Sequence, residues 1–312
     1  MKRKINISVV VPVYNEEANV RLLFDRLTAT LNKLGKGYEI IFVDDGSTDG
    51  TLRILKSLKN IKIIKFTKNF GQTAAMSAGF KHAKGSIIVA IDGDLQNDPK
   101  DIPKLLERIE EGFDVVSGWR YDRKDSLSKT IPSVFANFIR RKLTGEKIHD
   151  SGCSLKAYRK ECFNDIDLYG EMHRYIPAIL MWKGFRVGEA KVIHFKRTNG
   201  KSKYGITRLI KGLLDLFVVL FWQKYSVRPV HIFGGFGLFL ILAGGSVSSY
   251  MIIGRLLGKF PLSDRPLFLL SIVSIVIGIQ FLVFGILADI LIKIYYNQKN
   301  RREYKIEKIV KT

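Results

Sequence analysis

From residue 5 to about residue 200, short β-branched and aliphatic runs alternate with stretches whose apolar positions recur every three to four residues. The runs predict strands at Ile5–Val11, Glu39–Val43, Lys62–Phe66, Ser86–Ile91, Asp114–Ser117 and Val187–Phe195. The periodic stretches predict helices at Glu16–Leu34, Thr51–Leu58, Gln72–Ala83 and Pro99–Glu111. Asn15 and Asp98 stand at N-cap positions, the latter just before a proline suited to the first helical turn. This alternation predicts an α/β fold, a mostly parallel sheet covered by helices. Ligands of such sheets sit beyond the carboxyl ends of the strands.

After residue 229 the pattern changes. Val230–Gly254 holds no Asp, Glu, Lys or Arg, and Pro266–Ile292 holds one acid, Asp289, near its end. A helix of 25 residues rises about 37 Å, enough to cross a hydrocarbon core of about 30 Å. The expected organisation is a domain at 1–205, an interfacial amphipathic helix at 206–229, a two-span transmembrane hairpin at 230–294 and a basic tail at 295–312. Ile206–Tyr225 is apolar but carries Arg208, Lys211, Asp215 and Lys224, the mark of a helix lying in the membrane surface. A third span there is the competing expectation. Ile131–Leu143 reads equally as a second interfacial helix or as a helix packed on the sheet.

Charge then gives orientation. Lys and Arg number 51 against 29 Asp and Glu, a formal net charge of +22, which suits an anionic partner. The connector between the spans carries Arg255, Lys259 and Arg265. The flanks carry Lys224, Arg228, Lys299, Arg301, Arg302, Lys305, Lys308 and Lys311. The larger number belongs on the inner side, so the large domain and both termini are expected in the cytoplasm, beneath the cell membrane. Met1–Lys4 is basic, but the apolar run after it is short and broken by Asn6, Ser8 and Pro12, a strand rather than a signal peptide. Two cysteines, Cys153 and Cys162, build no disulfide framework and fit a reducing compartment.

The chemistry-bearing residues cluster at predicted strand ends. Asp92-Gly93-Asp94 follows SIIVAI and precedes Leu95-Gln96. Two carboxylates on one turn repel each other unless a cation lies between them, and Mg²⁺ or Mn²⁺ would leave positions open for diphosphate oxygens. Pro12-Val13-Tyr14-Asn15-Glu16-Glu17 and Val43-Asp44-Asp45-Gly46-Ser47 end two further strands at the same edge, where a ring and carboxylates suit a nucleoside. Turn and capping chemistry is the plainer use of Asp44, Asp45 and Ser47. The glycine signatures of dinucleotide-binding folds and P-loops are absent from the sequence.

PVYNEE, VDDGSTDGT, KNFGQTAAMSAGF and DGDLQNDP, in this order, resemble a family-two glycosyltransferase of the GT-A fold. With the hairpin, the chain is similar to polyisoprenyl-phosphate glycosyltransferases such as dolichol-phosphate mannose synthases and bactoprenol glucosyltransferases. The resemblance implies that Pro12, Tyr14, Glu16, Val43 and Asp45 line the nucleotide pocket, and that Asp92, Gly93, Asp94 and Gln96 form the metal and diphosphate site. It implies a phosphate contact for Arg120, a phosphate-closing loop for Arg197 and Lys203, and an acceptor-side acid at Asp150. Arg174 is a further cation of this kind. The expected reaction is inverting transfer of a sugar from a nucleotide-diphosphate donor to a polyprenyl-phosphate lipid, helped by Mg²⁺ or Mn²⁺. Nucleic acid is not an expected partner, and association between copies of the chain is left open. Two alternatives stand beside it: transfer to a lipid hydroxyl, and a non-catalytic, membrane-tethered nucleotide-sugar-binding module.

Overall fold

The computed structural model describes residues 5–121, 145, 148–164, 166, 168, 170, 172–195, 229–259, 261, 266–297 and 306–311. The segments ISVVVPV (β1, Ile7–Val13) and YEIIFVD (β2, Tyr38–Asp44) are almost wholly buried, as expected of parallel strands covered on both faces. β1 pairs in parallel with β2 and with β4 (Ile87–Ala90), and β2 with β3 (Ile61–Phe66). Beyond β4, β6 (Lys156–Arg159) runs antiparallel between β4 and β5 (Val115–Arg120), and β5 pairs in parallel with β7 (Val187–Val192). At the far edge β8 (Ile306–Lys311) lies antiparallel to β3, giving the order β7-β5-β6-β4-β1-β2-β3-β8.

Helices close both faces. α1 (Val20–Lys33) buries Val20, Leu23, Leu27 and Leu31, a stripe at helical spacing, against Val9, Val11 and Val13 of β1. α2 (Thr51–Ser57) and α4 (Ile102–Glu110) join this cluster through Leu55 and through Ile102, Leu105, Leu106 and Ile109. α3 (Gln72–His82) covers the side of Val10, and its Ala-rich surface lets it approach closely. A β-carbon at Gly79 would collide with the Val10 side chain. α5 (Ile176–Trp182) completes the domain.

Strand direction decides where the loops gather. β1, β2, β3, β4, β5 and β7 all end at one edge of the sheet, while the antiparallel β6 and β8 begin there. The loops after six strands, and those before two others, therefore meet along one line. β7, the strand before the long apolar helices in the chain, ends at this edge, and β8, the strand after them, begins there.

Residues 1–219 with 302–312 form one compact unit and residues 220–301 another. In the second, α6 (Pro229–Leu256) and α7 (Pro266–Asn297) pack side by side and are long and apolar enough to cross a membrane. Their seam uses small residues. A β-carbon on Gly237 would lie 2.5 Å from the Gly278 carbonyl oxygen, and one on Gly278 2.6 Å from that of Gly237. Ser248 and Ser271 hydroxyls meet across the seam at 2.7 Å, so polar groups in the apolar layer are mutually satisfied.

Several sequence expectations are corrected. α1 begins at Val20 rather than Glu16, and Asn15 is no cap: at φ 54° its Oδ1 accepts the Thr48 amide at 2.8 Å, tying β1 to the turn after β2. Asp98 does cap, accepting the Lys100 amide at 3.0 Å. β7 stops at Val192, because His194 forms a bridge with Asn97 and the Phe195 amide bonds to the Gln96 carbonyl at 2.9 Å. Part of the expected basic tail, residues 306–311, is a sheet strand. The expected helices at 131–143 and 206–225 lie outside the described residues.

Candidate active site

The acidic turn grows out of β4. Gly93 is needed there, because a β-carbon would stand 2.8 Å from the Val13 side chain and 3.4 Å from the Pro12 carbonyl. That close approach sets Asp92 and Asp94 beside the end of β1, where Glu16 also lies. Leu95 takes φ 62°, turning the chain back so that the Gln96 amide reaches Asp94 Oδ1 at 3.2 Å. The Gln96 side chain donates to the Phe195 carbonyl at 3.4 Å, joining the acidic turn to the segment that leaves β7.

Asp92 is held from two sides. Gln72 Nε2, at the start of α3, donates to its Oδ1 at 2.6 Å. The Ser154 hydroxyl bonds it as well, and Ser154 in turn accepts from Asn97 Nδ2 at 2.8 Å. Burial, and then the negative charge of Asp94, raise the Asp92 carboxyl to about 7, with Lys156 and Arg120 pulling the other way. Among the described residues no three His, Cys, Asp or Glu side chains gather into a group that could hold a metal alone. The two carboxylates, strained by mutual repulsion, nevertheless fit a hard divalent cation whose remaining positions are filled by ligand oxygens. Asp92 and Asp94, with the Gln96 amide oxygen, would hold it.

At the ends of β1 and β2, Tyr14 is half-buried and Pro12 is in register with Val43, which is fully buried in the sheet. Asp45 clasps the loop that follows β3. Its two oxygens accept the Phe70 amide at 2.7 Å and the Gly71 amide at 2.9 Å, and burial raises its pKa. Asp44 is wholly buried; its Oδ1 accepts the Ser47 amide at 2.9 Å, and its Oδ2 has no partner among the described residues. Of the two carboxylates, Asp44 is therefore the one with a buried oxygen left open by protein donors. Its neighbour is the clasp of the following loop.

Two other expected residues are paired with each other. Arg120, at the end of β5, meets Asp150 in a two-pronged ion pair, Nε to Oδ2 at 2.6 Å and a terminal nitrogen to Oδ1 at 2.9 Å. The amides of Arg120 and Gly152 add bonds of 3.3 and 3.2 Å. Both oxygens of this carboxylate are thus engaged by donors of the protein itself. Arg174 donates to His173 Nε2 at 3.4 Å. Since Arg only donates, the His173 proton sits on Nδ1 and faces Thr73 Oγ1 at 2.8 Å; burial keeps this histidine neutral. Arg197 and Lys203 lie outside the described residues, although Phe195, two positions before Arg197, is bonded to Gln96.

Sequence reasoning assigned no role to four residues of the site: Gln72 and Asn97, which fall inside KNFGQTAAMSAGF and DGDLQNDP, and Ser154 and Lys156, which lie outside the motifs. Lys156 is 3% exposed at the start of β6, donates to the Ser151 carbonyl at 2.9 Å and lies close enough to Asp92 to oppose its charge. The one usable hint is its setting in GCSLKAY, a lysine among small and apolar residues where a solvated lysine has no reason to be.

Comparison with known proteins bears on this geometry. Residues 8–167 match the family described as Glycosyl transferase family 2. The chain is 39% identical over 316 residues to a dodecaprenyl-phosphate galacturonate synthase of Rhizobium johnstonii, covering 98% of this chain and 94% of that one. It is 34% identical over 311 residues to an undecaprenyl-phosphate 4-deoxy-4-formamido-L-arabinose transferase of Edwardsiella ictaluri, again covering 98% and 94%. Among solved structures, the fold resembles mannosyl-3-phosphoglycerate synthase from Rubrobacter xylanophilus, at TM-score 0.56 and 16% identity over 70% of this chain and 75% of that one. It also resembles glucosyl-3-phosphoglycerate synthase from Mycobacterium tuberculosis in complex with Mn²⁺ and uridine-diphosphate-glucose, at TM-score 0.53 and 19% identity over 70% and 79%.

Proposed function

The chain belongs to glycosyl transferase family 2, and from that premise we propose that it transfers a sugar from a nucleoside-diphosphate donor to the phosphate of a polyprenyl-phosphate lipid, with inversion. One observation carries the proposal: a single sheet edge gathers the Asp92–Asp94 pair and the cations Arg120 and Lys156, and it is the edge where β7 ends and β8 begins, the strands before and after the apolar helices in the chain. The relatives named for dodecaprenyl- and undecaprenyl-phosphate support the acceptor.

Each residue then has a task. Tyr14 and Asp44 face the nucleoside, by stacking and by accepting a hydrogen bond, with Pro12, Glu16 and Val43 shaping the pocket wall and Asp45 holding the loop. Asp92 and Asp94, with Gly93 and Gln96, receive the diphosphate end of the donor. A bound Mg²⁺ or Mn²⁺ supplies neutralisation of the charge that builds on the departing diphosphate. Arg120, held by Asp150, presents its guanidinium to phosphate oxygens, and Arg174, Arg197 and Lys203 add further donors. The acceptor phosphate, with a second pKa of about 6, is already largely dianionic near neutral pH, so its oxygen attacks without a strong base. The engagement of both Asp150 oxygens agrees with that economy. A lipid hydroxyl acceptor would need the free base that Asp150 does not offer.

The apolar helices serve as a membrane hairpin, with the domain and both ends in the cytoplasm. β8, which comes after the hairpin in the chain, pairs with β3, which precedes it, and this supports an even number of crossings over three. The excess of basic residues on the flanks supports the inward orientation. The test is turnover of purified protein with polyprenyl phosphate and a panel of UDP- and GDP-sugars, with and without Mn²⁺, Mg²⁺ or a chelator. Chelator-sensitive formation of a sugar-phosphate lipid is expected, and turnover that persists after chelation would remove the cation from the mechanism.

A further inference from the structure

We infer that Gln72 is a positioning residue for the cation site, and that residues 70–72 link that site mechanically to the nucleotide side of the cleft. The inference rests on the assignment of Asp92 and Asp94 to the cation. Three consecutive residues hold two carboxylates. The Phe70 and Gly71 backbone amides bind the two oxygens of Asp45, at 2.7 and 2.9 Å, and the Gln72 side-chain amide binds Asp92 Oδ1 at 2.6 Å. Asp45 succeeds β2 and Asp92 succeeds β4, strands separated in the sheet by β1. The bridge therefore passes over the end of β1, where Tyr14 and Glu16 stand. It has little slack. Gly71 turns at φ 96°, and the backbone of Lys68 and Asn69 presses so closely on Gly46 that a β-carbon there would strike it.

The choice of side chain is informative. A neutral amide donor fixes the plane of the Asp92 carboxylate without cancelling the charge a cation needs. Lysine or arginine at position 72 would compete with that cation, and a hydrocarbon would leave the carboxylate held by Ser154 alone. A hydrogen bond to a charged group is worth enough to change an equilibrium about tenfold.

The test is Mn²⁺ binding to the full-length, nucleotide-free protein in detergent, measured by electron paramagnetic resonance, with thermal unfolding in metal-free buffer as the folding control. Gln72→Leu should weaken Mn²⁺ binding about tenfold, and Gln72→Met, unbranched and of similar length, should repeat the result if the leucine variant folds poorly. In an Asp92→Asn background Gln72→Leu should have little further effect. Asp45→Asn, which loosens the loop without touching the cation, should weaken Mn²⁺ binding severalfold, and that effect should vanish once Gln72 is leucine. Unchanged Mn²⁺ affinity in folded Gln72→Leu would overturn the positioning role and the link that runs through it, leaving the cation assignment standing. An Asp45→Asn effect that persists beside leucine would overturn the link. A wild-type protein that binds no Mn²⁺ would overturn the cation assignment beneath both.

Discussion

Replacing Asp150 by Asn distinguishes a base from an anchor. Asp150 is 4% exposed and accepts from Arg120 Nε, from an Arg120 terminal nitrogen and from two backbone amides. Asparagine keeps the shape but carries one acceptor oxygen instead of two, turns an N–H towards a guanidinium and leaves that cation without its counter-charge. Breaking a buried pair from one side costs about 3–5 kcal/mol. The Arg120 side chain is 12% exposed and also feels Asp92, so part of that cost is offset and roughly 2–3 kcal/mol remains. For a domain of this size the melting temperature should fall by roughly 5–10 °C. Turnover should fall about tenfold, through a displaced Arg120, with the loss shared by Arg120→Lys, because a lysine cannot reproduce the two-pronged contact. Steady-state assays of both variants, with unfolding monitored by intrinsic fluorescence, make the comparison. Loss of turnover beyond about a thousandfold with an unchanged melting temperature would mark Asp150 as a general base and refute the anchor role.

Other parts of the molecule yield further expected outcomes. Asp92 titrates at about 7 in the metal-free protein, well above an unfolded aspartate, so the folded state holds the extra proton between about pH 4 and 7. Metal-free stability should therefore fall as pH rises through that window, and Mn²⁺ affinity should rise by up to about tenfold per pH unit below 7 and level above it; a pH-independent affinity would contradict the assignment. Gly278→Leu should separate α6 from α7, since even a β-carbon there would sit 2.6 Å from the Gly237 carbonyl oxygen. Lower thermal stability in detergent, by about 1–3 kcal/mol, is expected. Truncation after Lys305 removes β8 and bares the edge of β3. Faster amide exchange in Ile61–Phe66 and a greater tendency to aggregate should result, and unchanged exchange would contradict the pairing.

Much of this architecture is written locally. β-branched runs, an Ala-rich helix and two long stretches with a single charge between them each form their element from neighbours in sequence, so β1 to β5 and the helical hairpin were legible. β6 was not: KAYR is four residues with a buried lysine, and it becomes a strand only because β4 and β5 leave a place between them. β8 was hidden by its charge and its spacing, since IEKIVK places its apolar residues at 306, 309 and 310, without the alternation of a strand, inside a tail rich in Lys and Arg. At the site, the acidic turn and its glycine could be seen from the residues. The clasp between Asp45 and the Phe70 and Gly71 amides could not, because it depends on the loop at 68–71 folding back over Gly46. The partnership of Arg120 with Asp150, and of Gln72 with Asp92, joins residues 30 and 20 positions apart, which no local pattern records.

The most direct measurement supplies one donor sugar, in the presence of Mn²⁺, with either a polyprenyl phosphate or the matching polyprenol lacking the phosphate, and monitors nucleoside-diphosphate release. Release with the phosphate alone, lost in Asp94→Asn, is the predicted result. Equal release with the polyprenol, or with neither lipid present, would contradict attack by a lipid phosphate on the donor sugar.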